Sequence, residues 1–197
     1  MTKSEIRTLI KQRCRENKAS LEHMSKDICN QILNAPQYLK ANEIYAYMPL
    51  PDEADLTQVI NAALKTGKKV AVPKILSKQD NLMQFFYLDA NKNLSQQTAD
   101  GAYGISEPDQ SMPAAINPAQ NILILVPGRA FTKEGDRIGR GKGYYDRFLS
   151  KEIVGSSPTM TRLPNVTVAG VCFEFQVLPE LPVDPNDIKM DLIFSNN

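Results

Sequence analysis

Glu43-Ile44-Tyr45-Ala46-Tyr47-Met48, a periodic stretch from Asp55 to Lys65, and Lys69-Val70-Ala71-Val72-Pro73 decide the fold class. The first run is rich in β-forming residues and is stopped by Pro49 and Pro51. Leu56, Val59, Ile60 and Leu64 then recur at helical spacing, and Gly67 ends that helix. A strand, a helix and a second apolar strand in succession are the signature of a parallel sheet with a crossover helix. Asn121-Ile122-Leu123-Ile124-Leu125-Val126 is the clearest buried strand, apolar on consecutive residues as a strand covered on both faces must be. Val166 to Cys172 and Leu192 to Phe194 complete the sheet, and Leu82 to Leu88 reads as a strand at or near an edge. Residues 89–120 are polar, with Gly101, Gly104 and several prolines, and read as a long loop. The expectation is one α/β domain over residues 1–197. Its mostly parallel central sheet is flanked by helices, a three-layer α/β/α arrangement.

Towards the N-terminus, Thr2 with Glu5 three residues on forms a capping box. Ile6, Leu9, Ile10 and Cys14 follow on one helical face, with Lys3, Arg7, Lys11 and Arg15 on the other. A second helix follows the Asn17-Lys18 break, with Leu21, Met24, Ile28 and Leu33 as its apolar stripe and His23 at the boundary. The 197 residues carry 23 Lys+Arg against 22 Asp+Glu, a net charge of +1 with pI near 7.6, which excludes a globally basic nucleic-acid binder. No run approaches ~18 consecutive apolar residues, so no membrane-spanning helix is expected. Three scattered cysteines and a single histidine leave little material for a zinc site or a histidine-based triad. The polar start, Met1-Thr2-Lys3-Ser4-Glu5, lacks a signal peptide's apolar core, so the expected compartment is the thiol-reducing cytoplasm.

Function gathers after the best strand. Four glycines, at 135, 139, 141 and 143, alternate with Arg137, Arg140 and Lys142, and Tyr144-Tyr145-Asp146 opens a further helix. Glycines let backbone N–H groups approach a phosphate, and the cations neutralise its charge. In open α/β sheets such loops at the carboxyl ends of strands hold the ligand. The named nucleotide motifs do not fit. A Walker A loop would require glycine at Asp136 and a hydroxyl residue at Gly143, and the dinucleotide fingerprint would require glycine at Tyr144.

The run Pro127-Gly128-x-Ala130-Phe131, Gly135-x-Arg137-x-Gly139-Arg140-Gly141-x-Gly143-Tyr144-Tyr145-Asp146-x-Phe148-Leu149 resembles the signature of the 5-formyltetrahydrofolate cyclo-ligase family. The opening helix with Lys3 and Arg7, Tyr47-Met48-Pro49 with Asp52-Glu53, Gly104-Ile105-x-Glu107-Pro108, and Leu181-Pro182-Val183 through Asp187 to Asp191 are similar to further elements of that family, in order. Arg129 and Thr132 depart from it, standing where an aliphatic residue and an Asp are usual.

The resemblance implies ATP- and Mg2+-dependent cyclisation of 5-formyltetrahydrofolate to 5,10-methenyltetrahydrofolate, with release of ADP and phosphate. It implies an ATP site of Lys3, Arg7, Arg137, Gly139, Arg140, Gly141, Lys142, Gly143, Tyr144 and Tyr145. Among these, Arg140, Lys142 and Tyr144 serve the reaction, and the planar fork of Arg140 suits the transferred phosphoryl group. Met48, Glu53, Arg140 and Tyr144 would bind the folate, and Asp146 and Asp187 the Mg2+. The expected partners are ATP and 5-formyltetrahydrofolate, with or without a polyglutamate tail; nucleic acid and membrane are not expected, and the protein is expected to be a monomer. Taken singly, these residues allow plainer readings. Asp146 could cap or pair on its own helix, Asp187 could be a turn residue, and Lys3 and Arg7 could form a solvated face. A sugar-phosphate or acyl-CoA enzyme on a related scaffold, or a nucleotide-binding module, is the alternative function.

Overall fold

The computed structural model describes residues 1–109, 111–115, 121–151, 163, 165–184 and 187–196. Helix α1 (Lys3–Glu16) starts from the Thr2–Glu5 capping box, and its buried residues Ile6, Ile10 and Cys14 keep helical spacing. Helix α2 (Leu21–Asn34) buries Leu21, Ser25, Ile28, Cys29 and Ile32, so Ile32 and not Leu33 closes the stripe. A short helix α3 (Pro36–Lys40), which the sequence pattern did not announce, leads into strand β1 (Glu43–Tyr45). Helix α4 (Thr57–Lys65) returns the chain to strand β2 (Lys69–Ser77), and the Asp55 carboxylate accepts from the Thr57 amide at 2.9 Å to hold its first turn.

Strand β2 outruns the expected Pro73 by four residues because it forms a hairpin with β3 (Leu82–Tyr87). The segment expected to be loop is partly ordered. It holds α5 (Leu94–Gln97) and a small antiparallel pair, β4 (Thr98–Asp100) with β5 (Ser106–Pro108). No apolar periodicity marks these pieces, because β5 is anchored through polar contacts. Glu107 accepts from the Ile75 amide at 3.2 Å, and its carboxylate lies 3.6 Å from the Lys74 ammonium. Strand β6 (Ile122–Pro127) is followed by a ribbon, β7 (Ala130–Phe131) and β8 (Arg137–Ile138), that the glycine pattern concealed. Helix α6 (Tyr144–Leu149), β9 (Val166–Val171) and β10 (Leu192–Phe194) complete the described elements. The end of the 89–120 segment, part of the stretch after α6, and the Pro185-Asn186 pair lie outside the described residues.

The main sheet runs β10-β9-β6-β1-β2-β3, parallel throughout except for the β3 edge strand. Alternate residues of the parallel strands feed two cores. Ile44, Val70, Leu123, Leu125 and Ala169 pack against α2 and α4 on one face. Tyr45, Ala71, Ile122, Ile124 and Val168 pack with Phe148 and Leu149 of α6 on the other. The expected three layers follow from that double burial, which is why the strands read as continuous apolar runs. Helix α1 sits apart, its Ile6, Ile10 and Cys14 against Ala130 and Ile138 of the ribbon. The chain builds β2 and β3 to one side of β1 and β6, β9 and β10 to the other. The switch in direction therefore falls between β1 and β6, where open α/β sheets place their ligands.

Candidate active site

A cavity of about 660 Å³ opens at the carboxyl ends of β1 and β6, a size suited to small-molecule ligands. Tyr47, Met48 and Glu53 enter it from the β1 exit, and Pro127 and Gly128 from the β6 exit. The loop from Arg137 to Asp146 lines one wall, and Lys3 and Arg7 reach in from α1. Asp184 and Asp187 close the side nearest Lys3, and Tyr103, Ile105 and Glu107 stand at the β5 side.

Most of the charged groups at this site are paired among themselves. The Lys3 ammonium donates to Asp184 and Asp187, both at 2.6 Å. Burial opposes the Lys3 charge, but the two carboxylates outweigh it and hold the ammonium above its usual pKa. The Asp187 carboxyl is held below the usual range: burial raises it, and the Lys3 and Asp184 hydrogen bonds lower it further. The Arg7 Nε donates to the Gly139 carbonyl at 2.9 Å, tying α1 to the glycine loop. The Arg137 side chain is 4% exposed, and its Nη2 donates to Asp146 at 2.7 Å. Its Nε is buried with no partner among the described residues, which is costly unless something else supplies an acceptor.

Arg140 spans the site, its Nε donating to Glu53 at 2.8 Å and its Nη2 to Asp52. The second Asp52 oxygen accepts from Arg129 Nη1 at 2.5 Å. Burial raises the Asp52 carboxyl, yet the hydrogen bonds from Arg140 and Arg129 prevail and keep it below its ordinary value. Lys142 is exposed and has no ion-pair partner among the described residues.

Local geometry explains the glycines. Gly143 takes φ 70, ψ 16 immediately before α6, a left-handed conformation that any side chain would strain, and a helix can begin directly after it. Tyr144, the first residue of α6, lies with its hydroxyl 3.5 Å from that of Tyr103 across the cavity. Burial and that hydroxyl push Tyr144 up to about 12, so it stays protonated at any working pH. Tyr145, adjacent on the helix, turns inward against both cores and lies under the Arg137 guanidinium, 5.9 Å from its ring centre.

A profile of the 5-formyltetrahydrofolate cyclo-ligase family matches residues 1–196. The chain belongs to that family. A probable 5-formyltetrahydrofolate cyclo-ligase of Schizosaccharomyces pombe is 30% identical over 177 residues, covering 88% of this chain and 84% of that one. The 5-formyltetrahydrofolate cyclo-ligase of Mus musculus is 28% identical over 189 residues, covering 94% and 89%. The solution structure of Aquifex aeolicus 5,10-methenyltetrahydrofolate synthetase superposes with a TM-score of 0.78 at 29% identity, covering 100% of this chain and 90% of that one.

In this member of the cyclo-ligase family, one cavity gathers all the residues expected to bind ATP, folate or Mg2+. Lys3, Arg7, Met48, Glu53, Arg137, Gly139, Arg140, Gly141, Lys142, Gly143, Tyr144, Tyr145, Asp146 and Asp187 all line it. Asp146 pairs with the buried Arg137 of the preceding strand, β8, and not within its own helix as the plainer reading had it. The Asp187 amide donates to the Asp184 carbonyl at 3.0 Å, and Asp187 lines the cavity as well. Lys3 and Arg7 are not a solvated face. His23 is exposed, 3.6 Å from Asp27, and plays no part.

Among the lining residues that escaped the sequence reading are Tyr103 and Asp184. Tyr103 lies in the segment taken as loop, where it holds φ 59 immediately before Gly104. An aromatic beside glycine in a polar stretch was the available signal. Among the described residues, no helix is long and apolar enough to cross a membrane.

Proposed function

We propose that this chain, acting as a single catalytic domain over residues 1–197, converts 5-formyltetrahydrofolate and ATP to 5,10-methenyltetrahydrofolate, ADP and phosphate. The observation that carries the reading is the meeting of two unlike half-sites in one cavity. Arg140, Lys142 and the Gly139–Gly143 backbone offer cations and amides suited to a polyphosphate. Glu53, Met48 and Tyr144 offer a carboxylate beside an apolar slot, suited to the N–H donors and flat ring of a pterin.

In the reaction the formyl oxygen on N5 attacks the γ-phosphorus as the bond to ADP breaks. N10 then adds to the activated carbon, losing its proton, and phosphate leaves with the former formyl oxygen. Both nucleophiles belong to the substrate, so the chain needs no Ser, Cys or His nucleophile. Its task is positioning and charge stabilisation, the usual requirement of phosphoryl transfer. Arg140 and Lys142 hold the transferred phosphoryl oxygens, Lys3 and Arg7 close over the nucleotide from α1, and Tyr144 donates from a hydroxyl that does not ionise at working pH.

Among the described residues, no group of three His, Cys, Asp or Glu side chains forms a metal cage. Asp146 and Asp187, 29% and 25% exposed, nevertheless fit magnesium, which takes one or two carboxylates and completes its shell with phosphates and water. Bound there with ATP, Mg2+ would neutralise charge on the nucleotide phosphates. The reading includes a monomer in a reducing cytoplasm. The reducing compartment is in keeping with Cys14, Cys29 and Cys172, all buried as free thiols.

The test is an absorbance assay with 5-formyltetrahydrofolate, ATP and Mg2+, following the methenyl product's near-ultraviolet band. A rise that requires all three supports the assignment. A folded protein that binds ATP yet forms no product would remove the folate assignment, and sugar phosphates would be tried next.

A further inference from the structure

The geometry points to Arg129 as a positioning residue for the nucleotide, acting through Asp52 on Arg140. This inference rests on the cyclo-ligase reading of the cavity. Arg140 and Glu53 line the cavity, whereas Asp52 and Arg129 do not and stand behind them. The Arg129 side chain is only 12% exposed, and its backbone amide donates to the Ile138 carbonyl at 2.7 Å, fixing it beside the ribbon.

Asp52 gives one oxygen to each guanidinium. With Arg129 on one side, Asp52 can engage Arg140 only at Nη2, while Glu53 takes Nε at 2.8 Å. Those two nitrogens share one edge of the planar fork. The other edge, carrying Nη1, has no partner among the described residues, and it can hold two phosphate oxygens.

Charge balance points the same way. Arg129, Asp52, Glu53 and Arg140 sum to zero, so Arg140 meets a polyphosphate with no uncompensated carboxylate behind it. Without Arg129 the same group would carry one net negative charge, and Asp52 would compete with phosphate for both faces of Arg140. Cys14, whose Sγ lies 3.9 Å from the Asp52 carbonyl, adds no charge, because burial pushes its thiol up.

Arg129→Gln drops the charge and, two bonds shorter, the hydrogen bond that Nη1 gives Asp52. It should raise the KM for ATP about tenfold while kcat and the KM for 5-formyltetrahydrofolate stay within about twofold. Arg129→Lys should bring the ATP KM back to within about twofold of wild type. Arg129→Gln combined with Asp52→Asn, neutral again, should recover most of the loss. An unchanged ATP KM in Arg129→Gln, a Lys variant as impaired as the Gln variant, or a double variant no better than the single each overturns the inference. If Arg129→Gln does not fold, Asp52→Asn alone decides. It leaves the group with a net positive charge, so the KM for ATP should hold or fall, and a tenfold rise overturns the inference. Affinity for a non-hydrolysable ATP analogue, measured by calorimetry on the same proteins, keeps the two readings apart. Wild-type protein that binds the analogue and makes no methenyl product defeats the folate reading, while the Arg129 comparison can still be read.

Discussion

Arg140 holds Glu53, so the residue assigned to phosphate and the residue assigned to the pterin are paired with each other. Burial opposes the guanidinium charge, but Glu53 and Asp52 more than offset it, and Arg140 stays a cation at every working pH. Arg140 therefore keeps the two carboxylates on one edge and offers the other to phosphate, so its charge is not left bare in a dry site, which would cost several kcal/mol per ion. Because a donor aimed at transition-state charge is typically worth a factor of 10²–10³, Arg140→Ala should lower kcat by about 100-fold. Direct binding of 5-formyltetrahydrofolate, measured by calorimetry, should change by less than about threefold, since Glu53 keeps its second oxygen on the Leu50 amide at 3.0 Å. An unchanged kcat would take Arg140 out of phosphoryl transfer.

At the scale of elements, the β7–β8 ribbon links the site's two ends. Its turn is closed by the Thr132 hydroxyl, which accepts from the Asp136 amide at 3.1 Å and gives that sequence position a turn-forming role. At the same turn Gly135 has φ +92, and its carbonyl accepts from the Met190 amide at 2.8 Å. A Cβ on Gly135 would lie 2.2 Å from the Met190 carbonyl oxygen, so backbone would have to move. That contact docks the ribbon on the segment that carries Asp187, the partner of Lys3 in α1. Gly135→Ala combines a strained φ with a backbone clash, and should destabilise the protein by about 2 kcal/mol or more. The urea midpoint measures it, and a midpoint within error of wild type would mean that the turn yields without cost.

Across the whole molecule, the cavity is lined by groups from α1, from both sides of the sheet's switch point, and by Asp184 and Asp187. Binding both substrates should therefore stabilise the entire chain and not one element. At concentrations near 100 times Kd a ligand adds about 2.7 kcal/mol, and a chain of this size gains roughly 2–4 °C per kcal/mol, so a saturating ligand should raise the unfolding temperature by about 5–10 °C. Scanning calorimetry with and without ATP, Mg2+ and 5-formyltetrahydrofolate checks this, and a shift confined to a minor early transition would show that α1 and the ribbon unfold apart from the sheet.

The sequence by itself determined the strands of the parallel sheet, because burial on both faces forces continuous apolar runs such as Ile122 to Val126, and those runs need no knowledge of their neighbours. It also determined α1 through its capping box, and it marked the Gly135–Gly143 loop as a candidate site through glycines and cations adjacent in the chain. What depends on contacts between distant residues was not legible there. The ribbon reads as loop because two-residue strands have no period, and β4 and β5 are held by Glu107 reaching across to β2. Only the tertiary structure decided that Asp146 faces Arg137, that Lys3 bridges Asp184 and Asp187, and that Arg129 and Arg140 divide Asp52 between them. The physical reason is that a hydrophobic period is written locally, residue after neighbouring residue. The partner of a charge is chosen by whichever opposite group folding brings within hydrogen-bond reach, and here that group lies as many as 184 residues away.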